Sequence, residues 1–244
     1  MQLLIDLGNT LMKTALWQGS HLLDEAAMEA EDIASLSRML EKSGRPDLCF
    51  VAAVRELPAA LMDFLLPFNP VFLSHETKLP FKIAYLSPST LGPDRIAAVA
   101  AAWKRFPGKN TLVIDMGSCI TYDLITASGS YEGGSISPGI RMRLRAMHSF
   151  TGRLPLLEPS EEAPLTGQTT AESILSGAMN GTRFEMEQYI THYSKLYEDL
   201  TVIVGGGDNK YFDYQFKSSI FAASNLVLEG LKVILDFNEY QKIE

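Results

Sequence analysis

The chain has 244 residues, 46% of them hydrophobic and 20% charged, with a formal net charge of −8 at pH 7. This length buries a core as one large domain or two small ones, and the composition excludes a disordered segment. The acidic balance excludes a broad nucleic-acid footprint, which needs clustered Lys and Arg, while leaving local binding of small anions open.

In chain order, residues 2–7 and 11–17 are predicted as the strands of a hairpin around Gly8-Asn9. The chain then reads as helical, with a helix over 29–42 closed by Gly44 and Pro46. A short buried strand begins at Cys49, a helix covers 57–66, a strand covers 70–73, and 78–88 is a proline-punctuated loop. Residues 90–105 form a predicted helix with an alanine-rich interior, in which Pro93 is tolerated as a first-turn residue. The turn residues Pro107-Gly108-Lys109-Asn110 divide the chain into halves 1–108 and 109–244. The second half opens with strands at 112–116, 119–126 and 130–136, followed by a basic helix with Arg141, Arg143 and Arg145 and a polar loop over 158–167. Thr169-Thr170-Ala-Glu172 has capping-box spacing for a helix running to about Tyr197. A strand at 201–204 ends in Gly205-Gly206-Gly207, and a closing helix is predicted over 218–237. The first residues, Met-Gln-Leu-Leu-Ile-Asp, lack a basic run and a long apolar stretch, so neither signal peptide nor membrane span is expected, and a cytoplasmic location is. Cys49 and Cys119 are too few for a metal or disulfide framework, and His21, His75, His148 and His192 lack ligand spacing.

The most informative feature is a duplication. Leu-Leu-Ile-Asp-Leu-Gly-Asn-Thr at residues 3–10 returns as Leu-Val-Ile-Asp-Met-Gly-Ser-Cys at 112–119. In each copy an apolar strand delivers a carboxylate, Asp6 or Asp115, and a glycine follows two residues later. Amides in a glycine turn approach phosphate oxygens closely, and the aspartates can hold a cation that offsets phosphate charge. One copy alone is an ordinary turn; two in matching contexts point to similar halves facing each other across a central cleft, each with a phosphate-holding loop. No Gly-x-x-x-x-Gly-Lys-[Ser/Thr] occurs, so the phosphate site is not a P-loop.

Five motifs then occur in order: Asp6-Leu-Gly8-Asn9-Thr10-x-x-Lys13, Leu91-Gly92-Pro93-Asp94-Arg95, Asp115-Met-Gly117-Ser118, Gly133-Gly134-Ser-Ile-Ser-Pro138-Gly139 and Gly167-Gln-Thr-Thr170. Together they resemble the type III pantothenate kinases, from residue 2 to the glycine run at 205. That resemblance implies an α/β chain with the duplicated actin-like, ribonuclease-H-like kinase fold of two mixed-sheet subdomains. It also implies phosphorylation of pantothenate by ATP to 4′-phosphopantothenate, the first step of coenzyme A synthesis, by a homodimer. Carried onto this sequence, it makes Asp6, Leu7, Gly8, Asn9, Thr10, Leu11, Met12 and Lys13 the first ATP loop, with Asp6 near magnesium through an intervening water. It assigns Ser118 to ATP and Asp115 to a monovalent cation, potassium or ammonium. Tyr85, Gly92, Pro93, Asp94, Arg95 and Thr170 become pantothenate contacts, with Asp94 the general base. Ser87-Pro88 stands where the family often has Asn-Pro.

Each assignment has a plainer counterpart. Magnesium keeps much of its water shell, so one carboxylate at Asp6 suffices for it, whereas Lys13 on the second hairpin strand also reads as a solvated face. Asp94 in a first helical turn favours the helix dipole whether or not it meets substrate. Arg95 suits an anionic or carbonyl group of pantothenate, or a structural ion pair. Tyr85 reads equally as a partly buried aromatic. Thr170 competes with Thr169 for the cap, and the one not capping is left to face substrate. Asp123 reads as a structural or supporting carboxylate, and Cys119 as a small buried apolar residue. Met142, Leu144 and Met147, with Ile174, Leu175 and Met179, form stripes suited to a core or to a twofold interface. Another acceptor on the same fold, or a regulatory nucleotide binder, is the alternative function; the joint presence of Asp6, Asp94 and Asp115 disfavours a pure binder.

Overall fold

The computed structural model describes residues 1–212 and 220–240. It separates into two compact units, one of Met1–Arg105 with Gly129–Tyr131 and Asn225–Glu244, the other of Phe106–Ser128 with Glu132–Ser224.

The first unit is built on strands β1 (Gln2–Leu7), β2 (Leu11–Gln18), β3 (His21–Glu29), β4 (Leu48–Ala53) and β5 (Pro70–Phe72). They lie in the order β3-β2-β1-β4-β5. β1 is antiparallel to β2 and parallel to β4, so it is hydrogen-bonded on both sides. Helices α1 (Ile33–Ser43) and α2 (Ala59–Leu65) cover one face, where Leu3, Ile5 and Leu7 pack with Leu36, Leu40, Leu61 and Leu65. Strand alternation turns Leu4 and Asp6 to the opposite face. β3 is a finding that sequence pattern missed: residues 21–29 carry Leu, Glu, Ala and Met, which favour helix, yet full-length pairing with β2 makes them an edge strand.

Helix α3 (Pro93–Arg105) starts three residues later than predicted, with Pro93 at its first position and a 3₁₀ turn at Pro88–Thr90 before it. The predicted loop at 78–88 contains a two-residue strand, β6 (Lys82–Ile83).

The second unit holds β7 (Thr111–Met116), β8 (Cys119–Ile125), β9 (Ser130–Pro138), α4 (Ile140–Ser149), α5 (Thr170–Leu175), α6 (Gly181–Leu196), β10 (Thr201–Gly205) and β11 (Ile220–Ala222). The sheet order is β11-β10-β7-β8-β9-β6, with β6 pairing Ser130 and Tyr131 at the start of β9. β7 is antiparallel to β8 and parallel to β10, matching β1 between β2 and β4. Leu112, Ile114 and Met116 pack under Met186, Tyr189 and Tyr193 of α6, and alternation turns Asp115 the other way, as it turns Asp6. The two sheets are therefore one fold used twice, down to the face on which each aspartate stands.

The closing helix, α7 (Leu226–Tyr240), begins after the strand β11 rather than at 218, and residues 218 and 219 lie outside the described residues. It contacts α3, β1, β2 and β4. Arg105 donates to both carboxylate oxygens of Glu229, with Nε–O distances of 2.8 and 3.0 Å, fixing α3 to α7. The helices approach at Gly230, where an added Cβ would stand 1.6 Å from the carbonyl oxygen of Ala97. Neither backbone can yield there without separating the helices. Gly230→Val is therefore expected to destabilise the protein by about 3 kcal/mol or more, as overpacking a fixed core does. Gly181→Ala, where a Cβ meets nothing within 4 Å, is the control and should be neutral or slightly stabilising. Thermal midpoints of the two variants decide it; equal midpoints would mean that the α3–α7 crossing is not rigid.

Candidate active site

The two Asp-x-Gly hairpins close alike. Gly8 donates its N–H to the carbonyl of Leu11 at 3.0 Å, and Gly117 donates to that of Cys119 at 2.9 Å. The first loop is one residue longer, so Asp6 pairs across the hairpin with Lys13, whereas Asp115 pairs with Thr121. This gives the first loop a cation that the second lacks at the matching position. Asp6 is 8% exposed and Lys13 is half-buried, while Asn9, Thr10 and Leu11 at the loop tip are exposed. Leu7 and Met12 are fully buried beneath the loop, so of the segment 6–13 they anchor and the tip is left to meet solvent or ligand.

The loops differ in what borders them on the parallel side. The carbonyl of Leu7 accepts from Val54 just beyond β4 at 3.2 Å, extending the ladder by one residue. The equivalent carbonyl, that of Met116, accepts from Asp208 at 3.0 Å, with Gly206 and Gly207 intervening after β10. Gly206 has φ +90°, and a Cβ there would stand 2.3 Å from the Met116 oxygen, so only glycine lets this turn fold back onto the second loop. On the other side Gly139, the N-cap of α4, donates its N–H to the Ser118 carbonyl at 3.1 Å. Two of the glycine motifs read from sequence thus converge on Asp115–Ser118. Ser118 itself is exposed and Asp115 half-buried. Burial pushes the Asp208 carboxyl above its ordinary range, against the opposing pull of Arg141 and Lys210.

In the first unit, Asp94 is the first-turn acid of α3. Its Oδ1 accepts from the N–H of Arg95 at 2.9 Å and lies 2.5 Å from where a Cβ on Gly92 would be. The carboxylate is thus folded over Gly92, which explains the glycine in Gly-Pro-Asp-Arg. Arg95 is 5% exposed, and its guanidinium carbon lies 5.7 Å from the Tyr85 ring centroid. Tyr85, Gly92, Asp94 and Arg95 therefore form one group. Asp6 shares the sheet face that α3 and α7 contact, opposite to α1 and α2.

Thr169 caps α5, accepting from Glu172 N–H at 3.2 Å in a full capping box, which leaves Thr170 exposed as the first helical residue. The stripes considered for an interface are mostly core: Leu144, Ile174 and Met179 are buried together, with Met147 and Leu175 packed on them, while Met142 is 42% exposed. Asp123 is fully buried on β8. Among the described residues, no three or more His, Cys, Asp or Glu side chains cluster as a metal cage. A single carboxylate such as Asp6 fits magnesium held chiefly by water and phosphate.

Sequence reading missed a polar knot. The Glu185 carboxylate accepts from Tyr122 Oη at 2.9 Å, Ser137 Oγ at 3.1 Å and Arg143 Nη2 at 2.5 Å. Burial works to raise this carboxyl, but the three donors outweigh it and hold it below the ordinary glutamate value. Its members come from four separate elements, so no local spacing betrays them.

The duplicated strand order, with an Asp-Gly hairpin at the central strand of each sheet, defines an actin-like kinase or ATPase fold. The solved structures agree at the level of fold. A Campylobacter jejuni protein assigned to the Baf family of transcriptional activators matches with TM-score 0.64 and 21% identity, over 98% of this chain and 99% of that one. The (R)-2-hydroxyglutaryl-CoA dehydratase component A of Acidaminococcus fermentans matches with TM-score 0.53 and 11% identity, over 99% of this chain and 98% of that one. A family model for type III pantothenate kinases matches residues 2–192. The type III pantothenate kinase of Christiangramia forsetii is 43% identical over 99% of this chain and 100% of its own length. The chain belongs to the type III pantothenate kinase family.

Gly92→Ala tests the site geometry. The new methyl would displace the Asp94 carboxylate, a movable side chain, without touching the core. Turnover is expected to fall about tenfold or more with an unchanged thermal midpoint, which would tie the placement of the Asp94 carboxylate to the reaction. Full activity in this variant would show that the observed Asp94 rotamer is not the working one.

Proposed function

We infer that Asp94 is the general base with which this chain transfers the γ-phosphoryl group of ATP to the hydroxyl of pantothenate. The products are ADP and 4′-phosphopantothenate, and the reaction opens coenzyme A synthesis. The observation that carries this reading is the Tyr85, Gly92, Asp94 and Arg95 group. It sets one carboxylate at a helix start beside a buried cation stacked on an aromatic ring. Such a group suits a small polar alcohol with a carboxylate or carbonyl to grip.

Phosphoryl transfer passes through a loose transition state, so the protein contributes alignment and charge neutralisation more than covalent chemistry. Asp94 orients the pantothenate hydroxyl and takes its proton as the bond to phosphorus forms and the bond to the ADP oxygen breaks. Arg95 holds the anionic or carbonyl end of pantothenate beside Tyr85, Gly92 and Pro93, and Thr170 is a further pantothenate contact carried by the second unit. The segment from Asp6 to Lys13 takes ATP phosphates by its amides and by the Lys13 ammonium, and Ser118 makes a further ATP contact. Asp6, through water, would hold magnesium, and Asp115 would hold potassium or ammonium, whose charge would offset that of the phosphates. A cytoplasmic location goes with this reaction.

The reading also includes a homodimer. Since Leu144, Ile174 and Met179 are occupied in the core, the contact falls on other surface, and α6 offers it. Glu185, Gln188, Tyr189, His192, Tyr193 and Leu196 line a depression of about 380 Å³ there. Leu196 is 74% exposed. Light scattering at micromolar concentration should give twice the chain mass, and Leu196→Glu should reduce it; a fully active monomer would remove the dimer from the account.

Mass spectrometry of the product formed from ATP and pantothenate tests the substrate. If pantothenate leaves ATP turnover unchanged while another small alcohol stimulates it, the acceptor is wrong. Asp94→Asn keeps size and loses the proton acceptor, so kcat should fall about a hundredfold or more with the KM for ATP nearly intact. Asp115→Ala should blunt the response to potassium, and equal rates in potassium, sodium and large organic cations would sink that role.

A further inference from the structure

Between α4 and α5 the chain runs for residues 150–169 without regular structure. A connection this long in a compact unit needs something to hold it. The fixing points are specific. Downstream, the helix from Thr170 does not continue evenly but passes through a π-helical turn at Ser176–Asn180 before α6. Such turns recur where a helix must re-aim side chains. Here Ser176 and Asn180 are 9% and 7% exposed, unusual burial for uncharged polar residues.

Their side chains meet the strap. Ser176 Oγ donates to the Leu165 carbonyl at 2.8 Å. The Asn180 amide donates to the carbonyls of Ala163 and Pro164, each at 3.3 Å, and to Ser176 Oγ at 3.2 Å. Arg183 donates to Asn180 Oδ1 at 3.1 Å, which fixes the amide's orientation so that its nitrogen faces the strap. Three consecutive carbonyls of an irregular segment are thus satisfied by one side-chain pair. The strap then ends in the capping box, where Glu172 accepts from Gln168 N–H at 2.7 Å and Thr169 N–H at 3.1 Å. Gly167 lies so close that a Cβ would stand 2.3 Å from the Ser173 nitrogen. The next residue is Thr170.

We propose that Asn180 is a positioning residue for pantothenate: by holding Ala163 and Pro164 directly, and Leu165 through Ser176, against the π-helical turn, it fixes the strap and thereby the placement of Thr170. The proposal rests on the reading that Thr170 contacts pantothenate. Asn180 touches neither substrate; it acts through the strap. Its removal therefore loosens one substrate's site and leaves the ATP loops alone.

Steady-state kinetics on the full chain test it with Asn180→Asp, which keeps the volume but cannot donate to carbonyls, and with Asn180→Ala. The KM for pantothenate should rise about tenfold in both, the scale for leaving buried polar groups unsatisfied, while the KM for ATP stays within about twofold. Amide exchange over 158–169 should speed up in the same variants. Thr170→Ala should also raise the KM for pantothenate, and the double variant should add little beyond either single change, because the two act through one contact. An unchanged KM for pantothenate in the Asn180 variants overturns the proposal, as does a parallel rise in both KM values. If Thr170→Ala has no effect while Asn180→Asp does, the Thr170 contact is the part that fails, and the proposal fails with it as stated.

Discussion

The site depends on the double pairing of a central strand. β1 and β7 are each hydrogen-bonded to an antiparallel neighbour on one side and a parallel neighbour on the other, as far as the aspartate. A strand locked on both edges cannot shift register, and a slip of one residue would turn Asp6 or Asp115 to the opposite face. Gly8 and Gly117 then close the hairpins by one backbone hydrogen bond each. Carboxylate position is thus a property of the sheet.

Variation on that common plan separates the two loops. The first is longer by a residue and carries Lys13 across from Asp6; the second is short and is gripped by Gly139 and Gly206 at the backbone. A loop with a cation across from its carboxylate suits phosphate. The same economy governs α3, where Pro93 starts the helix, Asp94 occupies the first turn and Gly92 makes room for its carboxylate.

Much of this was legible in the sequence, for physical reasons. The strands expected over 2–7, 112–116 and 201–204 are short apolar runs bounded by glycine, and they form within a residue of those bounds; the capping box at Thr169 and Glu172 is a local pattern, and it forms. What was not legible depends on partners far along the chain. β3 is a strand because β2 pairs it, against its own helix-favouring residues. Helix α7 joins the first unit because Gly230 fits against Ala97, a contact between residues more than a hundred positions apart. The Glu185 knot and the strap anchored by Asn180 draw on separate elements in the same way. Leu144, Ile174 and Met179 show the converse limit: an apolar stripe on a helix does not say whether it faces a core or a partner, and here it faces a core.

The proposed function divides the labour within the first unit, where the Asp6–Lys13 hairpin would take ATP and the start of α3 the acceptor. Calorimetric titration of ATP with magnesium into the unaltered protein, Asp6→Ala and Asp94→Ala measures it directly. The account expects Asp6→Ala to weaken ATP binding about tenfold or more, a loss of about 1.4 kcal/mol, and Asp94→Ala to leave it nearly unchanged. Equal weakening by both, or none at Asp6, would contradict it.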